Sequence, residues 1–282
     1  MLAAAARGDC AAVQLLAQTG IDVDEASSTG RTALMAAAHA GHQEIVRILL
    51  ENGASPDMRD GTYGTTALML ACANGHNECT QLLFSRDTTL ANQQDLEGRN
   101  ALLYAARRGH SSIVAMLCSA PEVCVDMADE TGLTPLMAAS QTNNLDAIRE
   151  LISGGASLHA EDTLGMNALH AACRAGAVEA CNELLRLGAR ADAVDEDGLL
   201  PIDHCDPDGP RYSELCDMLL AAQRLLDAIA ASGSSPAPPT SIALQQAGLE
   251  GPVSGHPHSD DDYWDNYSFK SYDSRQDDRP WH

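Results

Sequence analysis

One glycine recurs along this chain at Gly30, Gly64, Gly98, Gly132, Gly165 and Gly198, at intervals of 34, 34, 34, 33 and 33 residues. A unit of about 33 residues is too small to bury an apolar face alone, so a chain with this period must stack its units on one another. Two residues after each glycine stands a short signature. It reads Thr32-Ala33-Leu34-Met35-Ala36-Ala37, then Thr66-Ala67-Leu68-Met69-Leu70-Ala71, then Asn100-Ala101-Leu102-Leu103-Tyr104-Ala105. Thr134-Pro135-Leu136-Met137-Ala138-Ala139 and Asn167-Ala168-Leu169-His170-Ala171-Ala172 complete the series.

The signatures predict helices. Thr or Asn at the first position can cap one, and Pro135 and Pro201 suit a first turn, where no amide donor is required. Each predicted helix runs into Gly41-His42, Gly75-His76 or Gly109-His110, degraded to Asn143-Asn144 and Gly176-Ala177 in later copies. A second helical pattern follows, such as Ile45-Val46-Arg47-Ile48-Leu49-Leu50, and a second turn closes the unit at Gly53-Ala54, Gly155-Ala156 and Gly188-Ala189. Between Phe84 and Asn92 that Gly-Ala turn is missing, and one unit carries an extra turn residue near Gly61-Thr62-Tyr63. About six helix-turn-helix units are expected: a degenerate capping unit over 1–28, full repeats over 29–196, a degenerate cap and closing helix over 197–230, and a tail over 231–282.

Period, signature and both turns resemble the ankyrin repeat family, whose core reads Thr-Pro-Leu-His-x-Ala at a period near 33. The resemblance covers roughly residues 1–222. It implies an all-α solenoid with short hairpin turns, in which hairpin tips and inner-helix ends line a concave protein-binding face. It implies structural roles for His42, His76, His110 and His170, and for the turn aspartates Asp60, Asp95, Asp129, Asp162 and Asp195. Asn92 matches a turn position at which some members of the family are hydroxylated.

Composition narrows the function. The formal net charge is −23, which repels phosphate backbones and anionic membranes, so nucleic acid is not an expected partner. Nine cysteines without paired spacing point to free thiols in a reducing compartment, the cytoplasm or the nucleus. No secretion signal or 18-residue apolar window is found, so no membrane insertion is expected. No Cys-x-x-Cys pair, serine elbow or phosphate-cradling loop occurs. His204-Cys205 with Cys216, and His256 with His258, are poor metal clusters. The expectation is a protein without enzymatic activity, cofactor or metal, monomeric on its own.

The informative residues are those the fold does not require. The residue after each recurring glycine varies: Arg31, Thr65, Arg99, Leu133, Met166, Leu199. If exposed, Leu133, Met166 and Leu199, extended by Leu164, form an apolar stripe for a partner. Arg99, Arg107, Arg108 and Arg174 form an arginine island on the same face, suited to acidic or aromatic segments. The last twenty residues hold six of the ten aromatics, Tyr263, Trp264, Tyr267 and Phe269 among them, set between aspartates. This composition reads as a disordered acidic segment capable of recognition. Function is therefore read as a protein-binding scaffold or adaptor. The alternative is a substrate adaptor or regulatory subunit of a modifying enzyme such as a ubiquitin ligase, which the single lysine, Lys270, suggests.

Overall fold

The computed structural model describes residues 1–231, and every regular element among them is helical. The helices come in pairs: α1 (Leu2–Arg7) with α2 (Cys10–Gln18), α3 (Ala33–Ala40) with α4 (Gln43–Glu51), and α5 (Ala67–Ala73) with α6 (Asn77–Phe84). Next come α7 (Ala101–Arg108) with α8 (Ser111–Cys118), α9 (Pro135–Gln141) with α10 (Leu145–Ser153), and α11 (Ala168–Arg174) with α12 (Val178–Arg186). A 3-10 turn, Pro201–His204, then takes the place of a first helix, and α13 (Tyr212–Ala231) closes the series.

First helices pack on first helices from α1 through α11 to the 3-10 turn, and second helices pack on second helices from α2 to α13. Every unit contacts its neighbours, as a solenoid requires. The signature leucines Leu34, Leu68, Leu102, Leu136 and Leu169 are no more than 1% exposed. Replacing one such leucine with alanine costs about 2–5 kcal/mol. Small residues beside them, Ala37, Ala71, Ala105, Ala139 and Ala172, are wholly buried where adjacent inner helices meet.

The expected caps form. The Thr32, Thr66 and Thr134 hydroxyls each accept the backbone N–H three residues on, at 3.3 Å, and Asn100 accepts that of Leu103 at 2.8 Å. Asn167 accepts the N–H groups of Leu169 and His170. Where the Gly-Ala turn is missing, Asp87 caps a 3-10 turn over Thr88–Asn92.

The recurring glycine has two causes. Gly98 sits at φ +78°, the left-handed region that side chains rarely adopt, and a Cβ there would stand 2.8 Å from the Glu130 nitrogen of the next hairpin. That nitrogen donates to the Glu97 carbonyl at 3.1 Å. The bond recurs as Gly61 to Thr29, Leu96 to Tyr63, Thr163 to Thr131 and Glu196 to Leu164, so the hairpins form a backbone ladder across the stack.

Candidate partner-binding surface

Two rows of side chains run across the repeats on the inner-helix side. One is made by the hairpins, the other by the C-terminal ends of α3, α5, α7, α9 and α11. A carboxylate organises each later hairpin. Asp95 Oδ1 accepts from the N–H groups of Glu97 and Arg99, Asp129 from Thr131 and Leu133, Asp162 from Leu164 and Met166, and Asp195 from Asp197 and Leu199. In these hairpins the residue before the glycine is exposed, and the residue after it turns toward the stack in all but the last, where Leu199 stays outward.

The expected apolar stripe is therefore corrected in part. Leu164 is 56% exposed and Leu199 40% exposed, but Met166 is only 4% exposed. Arg174 lies near it, with Nη1 3.9 Å from the Met166 sulfur. Leu133 is half-buried and packs on the core. Two exposed apolar tips that sequence reasoning missed, Tyr63 and Leu96, stand on neighbouring hairpins joined by the Leu96 to Tyr63 bond. Their signal was the position before the glycine, or just after the turn aspartate, rather than the one after the glycine.

Arg99 is also corrected. It is 7% exposed, and its Nε lies 2.9 Å from Asp95 Oδ2 while Nη1 lies 2.7 Å from Glu97. The guanidinium covers the Tyr104 ring at 5.2 Å, and the Tyr104 hydroxyl donates to the same Asp95 oxygen at 2.7 Å. Burial pushes the Tyr104 phenol up, so it remains a donor. Arg99 thus belongs to an internal network and leaves the candidate surface.

Arg107, Arg108 and Arg174 remain. Arg107 is half-buried, and the other two are exposed. Burial first, then repulsion from Arg99 and Arg108, hold the Arg107 guanidinium below its ordinary value. Among the described residues no carboxylate ion-pairs with any of the three. Tyr263, Trp264, Tyr267 and Phe269 lie outside the described residues, as do His256 and His258.

The repeat-motif histidines and the packed cysteines Cys72, Cys79 and Cys118 are used by the fold. Nε2 of His42, His76 and His110 faces the carbonyls of Ala6, His39 and Ala73 in the preceding repeat. His204 Nε2 meets Asp195 Oδ2 at 2.8 Å, and His170 Nε2 faces the Leu199 carbonyl. Burial pushes the Cys72 thiol up to about 12 and Cys79 and Cys118 up to about 11, which removes their nucleophilic character near neutrality. Asn92 bridges to the next repeat with both ends of its amide, donating to the Glu122 carbonyl at 2.7 Å and accepting from Cys124 N–H at 2.9 Å. Among the described residues no group of three His, Cys, Asp or Glu is arranged to hold a metal ion. No described helix is long and apolar enough to cross a membrane.

Comparison with known proteins agrees with this architecture. Residues 1–92, 55–129, 87–162 and 120–197 match the family model for Ankyrin repeats (3 copies). Ankyrin repeat domain-containing protein 29 of Danio rerio is 44% identical over 57 residues, 20% of this chain, and the match spans only 19% of that relative's length. The human ASB11 ankyrin repeat domain superposes with a TM-score of 0.67 at 28% identity, over 76% of this chain and 94% of that one. The ankyrin repeat domain of Bcl-3, a member of the IkappaB protein family, does so with a TM-score of 0.64 at 26% identity, over 76% and 95%.

Proposed function

Because the chain belongs to the ankyrin repeat family, whose repeats are generally protein–protein interaction modules, we propose that it is a non-enzymatic scaffold binding a partner protein along its inner-helix and hairpin face. One observation carries this reading. The hairpin ladder holds Tyr63, Leu96, Leu164 and Leu199 outward, between 37% and 64% exposed, although other repeats carry Thr29, Glu97, Thr131 or Asp197 at the position before the glycine. Exposed apolar groups fixed on a rigid frame suit an interface, because little ordering entropy opposes binding.

The test is a pull-down with the full chain and with a variant carrying Leu164→Glu and Leu199→Glu, both checked by circular dichroism. The reading expects the folded variant to lose the main partner. A folded variant that keeps every partner overturns it. The chain is read as monomeric when unbound, which analytical ultracentrifugation checks.

The adaptor reading is favoured by one observation. Lys270 is the only lysine, so the described stack offers no lysine to ubiquitin transfer. It expects a modifying enzyme to co-purify and to modify the bound partner rather than this chain.

A further inference from the structure

The inner helices carry a charge pattern opposite to that of the whole chain. The net charge is −23, yet α1, α3, α5, α7, α9 and α11 contain no aspartate or glutamate. Their last turns instead carry Arg7, His39, Arg107, Arg108 and Arg174. The acids stand on hairpins, as Glu97, Glu130 and Glu196 do, and on outer helices, as Glu44, Glu78 and Glu179 do.

Cations in a last turn complement the helix dipole. That does not account for Arg107 and Arg108. They sit side by side, near the already paired Arg99, and one of them is half-buried. The same two positions in other repeats hold His39 and Ala40, Ala73 and Asn74, or Gln141 and Thr142, so the fold accepts neutral residues there. Asp129, the carboxylate that attracts Arg107, accepts from Thr131 and Leu133 through Oδ1 alone, and among the described residues neither it nor any other carboxylate ion-pairs with Arg107 or Arg108. The guanidinium donors of Arg107 and Arg108 are therefore available to a carboxylate from outside.

We infer that Arg107, Arg108 and Arg174 read an acidic segment of the partner protein, laid in extended form across the ends of α7, α9 and α11 and over Gln141. This deepens the protein-binding reading above and rests on it. Arginine takes carboxylates bidentately, which fixes register as well as charge. Packed helices lie about 8–10 Å apart, so α7 and α11 are separated by roughly 20 Å, or about six residues of extended chain at about 3.3 Å each. The segment should carry two acidic clusters at that spacing. A continuous phosphate backbone fits poorly, because the bordering hairpin acids repel charges placed beyond the strip.

The test uses the full chain and a fluorescein-labelled peptide, Glu-Glu-Ser-Gly-Ser-Ser-Glu-Glu, followed by fluorescence anisotropy at low salt. Parallel arms use its all-glutamine counterpart, a peptide with the four glutamates contiguous, and a single-stranded oligonucleotide. Arg107→Glu with Arg108→Glu, and separately Arg174→Glu, should each weaken the spaced peptide at least tenfold. Arg186→Glu on the outer helix should leave it within twofold. If charge reversal disturbs the circular dichroism spectrum, Arg107→Gln with Arg108→Gln takes its place. Equal binding of the glutamate and glutamine peptides, unchanged binding by a folded arginine variant, or a preference for the oligonucleotide overturns the inference. A cellular partner lost with the Leu164 and Leu199 pair but kept by the arginine variants also overturns it, and leaves the protein-binding reading standing.

Discussion

The imidazole Nε2 of His76 lies 3.0 Å from the carbonyl oxygen of His39, thirty-seven residues earlier in the chain. The same ring covers Gly41, where an added Cβ would stand 2.6 Å from it. One residue pair thus ends a helix in one repeat and fastens the next repeat to it. Asn143 and Asn144 show that the geometry outlasts the motif: Asn143 adopts φ 57°, the turn conformation usually left to glycine, and the Asn144 side chain takes the histidine's place over Gly109.

This arrangement separates two costs that a glycine substitution normally combines. A Cβ added at Gly53, φ +88°, would meet nothing within 4 Å, whereas one added at Gly41, φ +75°, would meet the His76 ring. Gly53→Ala should cost only the left-handed conformation, about 1–2 kcal/mol. Gly41→Ala should cost that and the displaced repeat contact, about 3 kcal/mol or more. Urea unfolding of the two variants checks the difference, and equal midpoints would contradict it.

Arg99 and Arg47 offer a similar contrast. Arg99 is bound to an Asp95 side chain that is 0% exposed, while Arg47 and Glu44 are 52% and 60% exposed. Arg99→Met should cost about 3 kcal/mol, because it leaves a buried carboxylate short of a partner. Arg47→Met should cost at most about 0.5 kcal/mol. Thermal and urea unfolding measure both.

His170 predicts a pH dependence. Its ring is buried, with Nε2 facing the Leu199 carbonyl and Nδ1 facing the Asn167 N–H, and burial above all lowers its pKa. The unfolded chain therefore binds this proton more readily than the folded one. The stabilisation is complete above the unfolded value near 6.5, and falls as pH drops below it by at most about 1.4 kcal/mol per pH unit. Met35, Met69 and Met137 hold the equivalent position in other repeats. His170→Met should thus fold and flatten the loss of stability between pH 7 and pH 5, as urea midpoints across that range would show.

Arg107 should be a residue kept at some cost to the fold. Removing its desolvated charge with Arg107→Gln should raise the melting temperature by about 1–2 °C, equivalent to about 0.5 kcal/mol in a domain of this size. A lowered melting temperature would mean that the guanidinium has a structural task.

Much of this was legible in the sequence, because local chemistry repeats with the period. The Gly98 turn, the Thr32 and Asn100 caps and the His76 bridge all follow from residues at fixed offsets. Burial on the face was harder to read. Arg99 looks like any residue after a turn glycine, but it shares a repeat with Tyr104, where the other copies have Ala36, Leu70, Ala138 and Ala171. That co-occurrence was the available signal for an internal network. Met166 gave no such signal, since the Arg174 side chain that meets its sulfur comes from the far end of the following helix.

The central claim, that a partner docks on the inner-helix and hairpin face, is tested most directly by site-specific photo-crosslinking in cells. A benzophenone amino acid would replace Gln141, at the end of α9 on that face, or Arg47, on the outer helix α4, in the full chain. The account predicts that a discrete partner is captured from Gln141 and not from Arg47, and that Leu164→Glu with Leu199→Glu abolishes the capture. Capture of the same partner from Arg47, with none from Gln141, would contradict it.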